Sequence, residues 1–238
     1  MAVAVLFTAS CAKEDISSTI AGGEANVTFT VDLPELGTRA YADGTKATTL
    51  RYYVYEGNNY LPAISSESLP NGIVTLNGGK ATVTLNLLKG MTYNIIFWAD
   101  NGGSFYSYDP GTKSITVHYT GAIANDDNRD AFYKYVPAID PATATKEDTK
   151  IFLTRPFGQL NVATSDLATV EDNEVVLTTS SVTVNTFKTL NLTNGQVSVP
   201  VNVTFAAKPM PCTLTPDIET LPNKPGYTYL SMNYLLPG

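Results

Sequence analysis

"GIVTLNGGKATVTLNLLKGMTYNIIFWAD", residues 72–100, decides the fold class. Asn77-Gly78-Gly79 links two strands, and Lys89-Gly90 marks the next turn. "YNIIFWAD" (93–100) is a nearly continuous apolar run, which fits a central sandwich strand covered on both faces. Towards the N-terminus, "NVTFTVDLP" (26–34) alternates: Val27, Phe29, Val31 and Leu33 on one face, Thr28, Thr30 and Asp32 on the other. That is a half-buried strand stopped by Pro34. Residues 35–47, "ELGTRAYADGTKA", are rich in turn formers and break the pattern. Alternation resumes in "TTLRYYVYEG" (48–57), with "EGNN" (56–59) as a hairpin turn.

Towards the C-terminus, "SITVHYT" (114–120) is another strand, and a sustained helical period is absent except for a short turn around "DNRDAFYKY" (127–135). "AIDPATATKEDTK" (138–150), with its prolines and charges, is the expected domain boundary. "IFLTRPFGQLNVAT" (151–164) opens the second half as strand, breaker, strand. "TLNLTNGQVSVPVNVTF" (189–205) carries an Asn194-Gly195 hairpin, and "YTYLSMNYLL" (227–236) is the last strand. The expected fold is all-β, with two tandem antiparallel β-sandwich domains, 26–145 and 146–238.

Composition agrees. Of 238 residues only 16% are charged, against about 25% in an average soluble protein, while tyrosine appears 14 times. Such a chain suits pleated, half-buried surfaces. A net charge of −7 argues against sequence-independent nucleic-acid binding and against charge-driven adhesion to anionic lipid. No run approaches the roughly 18 apolar residues of a transmembrane helix.

The two cysteines stand near opposite ends. "MAVAVLFTAS" (1–10) is a short apolar run ending in small residues, the pattern of a secretory signal. Thr8-Ala9-Ser10-Cys11 resembles a bacterial lipobox, and the acidic pair Glu14-Asp15 is similar to the surface-export signal of Bacteroidales lipoproteins. Cys11 is therefore read as the lipid-attachment residue, its competitor being a structural or free cysteine. Acyl chains supply about 0.8 kcal/mol per buried CH₂, and two or more anchor stably. Residues 1–11 form the expected signal segment, and because it lacks a basic start the expectation is a true start upstream of Met1. Residues 12–25 form a flexible tether, and Cys212 is an unpaired thiol without a role.

Several segments together resemble the fimbrillin-like (type V pilin) lipoproteins of Bacteroidales: the lipobox at Cys11, "LGTRAYADGTKATTLRYYVYEG" (36–57), "GMTYNIIFWAD" (90–100), "NDDNRDAFYKY" (125–135), "LTRPFGQLNVAT" (153–164) and "YLSMNYLL" (229–236). The resemblance implies two transthyretin-like sandwiches and export as a lipoprotein to the outer membrane and cell surface. It further implies cleavage by an Arg-specific protease in the loop after the first strand, and assembly into a fimbrium by strand exchange with other pilin subunits. Arg39, followed by Ala40, maps onto that cleavage site. The loop around it carries Gly37 and Gly44 and is an expected point of protease access. The strand it would release presents Val27, Phe29, Val31 and Leu33, worth roughly 6–12 kcal/mol of burial as an upper bound. Family members continue with further strands where this chain stops at Gly238, so the expectation is a truncated second sandwich or a subunit that accepts a strand without donating one.

No enzymatic constellation stands out, and no metal or cofactor is expected. Asp126, Asn128 and Asp130 have the first spacings of a calcium loop, but Ala131 and Pro137 stand where glycine and glutamate belong. His118 has no partner for a zinc site or triad. Asn26-Val-Thr28, Asn191-Leu-Thr193 and Asn202-Val-Thr204 match the glycosylation pattern and read as Asn/Thr-rich strands. The tyrosines of "RYYVYEGNNY" (51–60) and "NGGSFYSYDP" (101–110) allow an alternative function, a lipid-anchored surface glycan-binding lipoprotein. Against that stands ordinary aromatic pairing within the fold. A host or microbial receptor or glycan is the corresponding expected partner.

Overall fold

The run 93–100 forms a strand, β6 (Tyr93–Asp100), in which every residue from Ile95 to Asp100 is buried. Residues 23–34, 44–164, 179–209 and 228–238 are described by this computed structural model. Cys11, most of the tether, Arg39, Ala40 and Cys212 lie outside the described residues. A strand apolar on both faces needs cover on both faces, and the architecture follows from that requirement.

β6 lies at the centre of a sheet with antiparallel neighbours β2 (Thr49–Glu56) and β9 (Phe132–Ile139). The short strands β3 (Asn59–Tyr60) and β4 (Val74–Thr75) add to β2. The expected turn after Glu56 is present, with Glu56 opposite Asn59 and Gly57 at φ 58°. One face of this sheet, with Leu50, Tyr52, Val54, Ile95, Phe97 and Ala99, packs into a first core. Its cover is a second sheet in the order β10-β1-β5, where β1 is Glu24–Asp32, β5 is Lys80–Leu88 and β10 is Lys150–Phe152. The Lys89-Gly90 turn hands the chain from this cover to β6, so it joins two sheets rather than two neighbours.

The opposite face, with Tyr53, Tyr55, Ile96 and Trp98, packs into a second core. Its cover comes from a sheet ordered β13-β12-β8-β7 and from the pair β11–β14. These strands are β7 (Tyr106–Asp109), β8 (Ser114–Val117), β11 (Gly158–Thr164), β12 (Thr179–Asn191), β13 (Val197–Pro209) and β14 (Thr228–Leu235). The Asn194-Gly195 turn joins β12 to β13 as expected, with Gly195 at φ 72°. The described residues are thus all-β in several antiparallel sheets. Instead of one sandwich closing before the next begins, the central sheet gives one face to each core. Pairing joins the stretches expected as separate sandwiches, since β10 lies on β1 and β12 lies on β8.

Where β6 ends, Asp100 is only 1% exposed and holds the sheet edge together. Its carboxylate accepts hydrogen bonds from Arg51 (3.0 Å), Thr49 (2.9 Å), the Trp98 indole (2.8 Å) and the Gly102 amide (2.7 Å). A buried carboxylate is tolerated only with such complete pairing. Asp130, equally buried, is gripped by the Arg155 guanidinium at 2.7 and 2.8 Å.

Tyrosines knit the second core. Tyr53 stacks on Tyr108 with ring centroids 3.7 Å apart, and the Tyr55 and Tyr108 hydroxyls are 2.5 Å apart. Burial pushes the phenols of Tyr53, Tyr55, Tyr106, Tyr108 and Tyr234 above their ordinary value of 10.0. A raised phenol favours the fold fully below pH 10, and that contribution drains away as pH climbs above it. Absorbance at 295 nm should therefore show exposed tyrosines titrating near pH 10 with the fold intact. The buried ones should ionise only together with loss of the circular dichroism signal. Complete, reversible titration near pH 10 would contradict the packing.

Candidate functional site

β1 is built from the alternation read in the sequence. Val27, Phe29 and Val31 point into the first core at 6%, 0% and 0% exposure, while Thr28 and Thr30 face solvent. Phe29 reaches across the core to Phe97, with centroids 5.6 Å apart. Leu33 continues the series just beyond the strand and is half-buried against the same core. It packs on the turn made by Gly79, whose φ of +77° no branched residue would adopt comfortably. The Leu33 amide donates to the Gly79 carbonyl at 2.8 Å.

The two edges of β1 differ. On one side all nine residues pair with β5, from Glu24 opposite Leu88 to Asp32 opposite Lys80. On the other only Thr30, Val31 and Asp32 pair, in parallel, with β10. Among the described residues no strand covers that side of Glu24–Phe29. β1 is thus a nearly peripheral strand with a fully buried inner face. Its three fully buried side chains contribute about 5–9 kcal/mol at most, comparable to the whole stability of many domains. The groove between β5 and β10 must be filled for the first core to persist.

At the end of β1 lies a cavity of about 650 Å³, walled by Leu33, Pro34, Gly44, Ala47, Gly79 and Phe152 among others. Pro34 and Gly44, the described residues on either side of 35–43, both line this cavity. Phe152 is 51% exposed there, with the Lys150 ammonium over its ring at 5.0 Å.

Other sequence candidates resolve into ordinary structure. The tyrosines offered as a sugar platform face inward: Tyr53 and Tyr55 are 4% and 0% exposed, and Tyr60, Tyr106 and Tyr108 pack on the same core. Asp126 caps the one-turn 3₁₀ helix Asp127–Arg129, accepting from the Asn128 amide, and pairs with Arg129 at 3.5 Å. His118 lies 3.0 Å from the Ser107 hydroxyl. The strand expected at the start of 151–164 is present as β10, but it pairs in parallel with β1 rather than opening a separate second half, a long-range pairing that leaves no local signal.

These features define an all-β protein of several antiparallel sheets, in which β1 lies between β5 and β10 in the sheet that covers one core. The chain belongs to a family of unknown function, DUF6562, whose profile matches residues 18–237. No curated protein matches it in sequence. Among solved structures it is similar to the fimbrial anchor protein Mfa2 from Porphyromonas gingivalis, with 13% identity, a TM-score of 0.48, and coverage of 89% of this chain and 73% of that one. A DUF1812 protein from Bacteroides thetaiotaomicron VPI-5482, suggested to bind polysaccharide, gives 13%, 0.48, 87% and 71%. A fimbrial assembly protein from Parabacteroides distasonis ATCC 8503 gives 10%, 0.37, 87% and 77%.

Phe29→Ala should cost about 3–5 kcal/mol in urea unfolding, whereas Thr30→Ala should stay within about 0.5 kcal/mol. Similar losses for both would show that β1 is not seated as described.

Proposed function

We propose that this protein is a pilin-like subunit of the cell surface, structural and adhesive rather than catalytic. In this reading it is exported as a lipoprotein through Cys11, cut after Arg39 by an Arg-specific protease, and assembled with other subunits by exchange of β1. The observation that carries the proposal is the asymmetry of β1, nine rungs on β5 against three on β10 with its inner face fully buried. Removing such a strand severs little backbone on one side yet exposes a long apolar groove. An extended segment from a neighbour satisfies both the β5 backbone and the pockets left by Val27, Phe29 and Val31, which is the physics of strand complementation. The sequence resemblance to fimbrillin-like lipoproteins supports the same role. A glycan-binding surface lipoprotein is the alternative, and it loses support because its tyrosines are packed into the two cores, Tyr52 in the first and Tyr53, Tyr55, Tyr60, Tyr106 and Tyr108 in the second.

The intact mass of the mature chain from its native envelope tests this. The expected chain begins at Ala40, and Arg39→Ala should leave an unassembled precursor with its lipid on Cys11. A wild-type chain that still begins at lipidated Cys11, uncut at Arg39, would refute processing.

A further inference from the structure

The tetrapeptide Asn-Val-Thr-Phe occurs twice in the chain, at 26–29 in β1 and at 202–205 in β13. The strands facing the two copies also match. In β5 the partners are Asn86, Leu85, Thr84 and Val83, and in β12 they are Asn185, Val184, Thr183 and Val182. The rungs are built alike: the Thr28 and Thr84 hydroxyls are 3.0 Å apart, and Thr183 and Thr204 are 2.8 Å apart. On the inner side Phe29 and Phe205 are both fully buried. Asparagine and threonine pairs on the outer face, with valine and phenylalanine inside, therefore set register at both places. At these four positions β5 and β12 present the same residues but for Leu85 against Val184.

The difference comes three positions after the phenylalanine. β1 has Asp32, whose carboxylate lies 3.7 Å from the Lys80 ammonium of β5. β13 has Lys208, which lies opposite Ser180 of β12 beyond a bulge between Ser180 and Val182. Placed on β5 in the unbroken register that β1 keeps, β13 would set Lys208 against Lys80, and like charges directly opposite each other are unfavourable.

We propose that Lys80 selects the strand that occupies β5. It admits an Asn-x-Thr-x segment that carries a carboxylate three positions after its inner aromatic residue, and it turns away a β13-type segment that carries a cation there. The inference rests on the strand-exchange reading and names the chemistry of its partner: an extended, acidic-ended segment of a neighbouring subunit, antiparallel to β5. Lys80 keeps 74% of its side chain exposed, so replacing it leaves the core untouched and the pair acts through charge alone.

The experiment uses the full chain nicked after Arg39 by an Arg-specific protease, or nicked at a protease site placed within 35–43 if Arg39 resists. Fluorescent peptides spanning 24–34, native or with Asp32→Lys, are then titrated by anisotropy. The native peptide should bind about three- to five-fold more tightly, the size of an exposed charge pair, and the gap should narrow in high salt. In the Lys80→Glu chain the order should reverse, and a peptide spanning 200–209 should gain affinity. Equal binding of both 24–34 peptides to both proteins would overturn the role of Lys80 while leaving strand exchange standing. Failure of every peptide to bind would overturn both.

Discussion

Every residue from Ile95 to Asp100 is buried, and the rest of the fold answers to that fact. A strand with no solvent face cannot edge a sheet or lie on an open surface. β2 repeats the constraint, sending Tyr52 and Val54 into one core and Tyr53 and Tyr55 into the other. The central sheet therefore needs two covers. One is the small sheet β10-β1-β5, and the other is assembled mainly from later strands. Asp100 ends the run with a fully partnered charge, which anchors Arg51, Thr49 and Trp98 at the margin where the two cores meet.

The two covers differ in how they are held. The second is stitched by interlocked tyrosines, by the long β12–β13 ladder and by the clamp in which Asn125 exchanges bonds with Met232 at 2.7 and 2.8 Å. Among the described residues, the first depends on β1 alone to join β5 to β10. Local opening is expected to concentrate where few ladders converge, and β1 is such a place. Its removal would separate β5 from β10 while the central sheet keeps its other cover. The strand exchange proposed above asks the fold to lose this one strand, present a groove and recover the core from a neighbour.

Much of this was legible in the sequence. The alternation of 26–34 placed Val27, Phe29 and Val31 inward, the unbroken run 93–100 announced a doubly covered strand, and Asn194-Gly195 marked its hairpin. The same logic applied to "RYYVYE" would have turned Tyr53 and Tyr55 into the core, because that run is also apolar or aromatic on both faces. What stayed hidden was non-local. β10 is three residues long and pairs with β1 in parallel across more than a hundred positions, so periodicity carries no trace of that pairing. The Asp32–Lys80 rung emerges only once register is known. The repeated Asn-Val-Thr-Phe was visible from the start, but its sense as a register device depends on its matching partners in β5 and β12.

The most direct test of the account is native-state hydrogen exchange on the full chain, comparing β1 and β5 with β6. If β1 is a separable cover, its amides and those of β5 exchange through a partial opening of lower free energy and weaker denaturant dependence than the opening that exposes Ile95–Ala99. If β1 and β6 exchange with one free energy and one denaturant dependence, β1 is an inseparable part of the core and strand exchange at this site is contradicted.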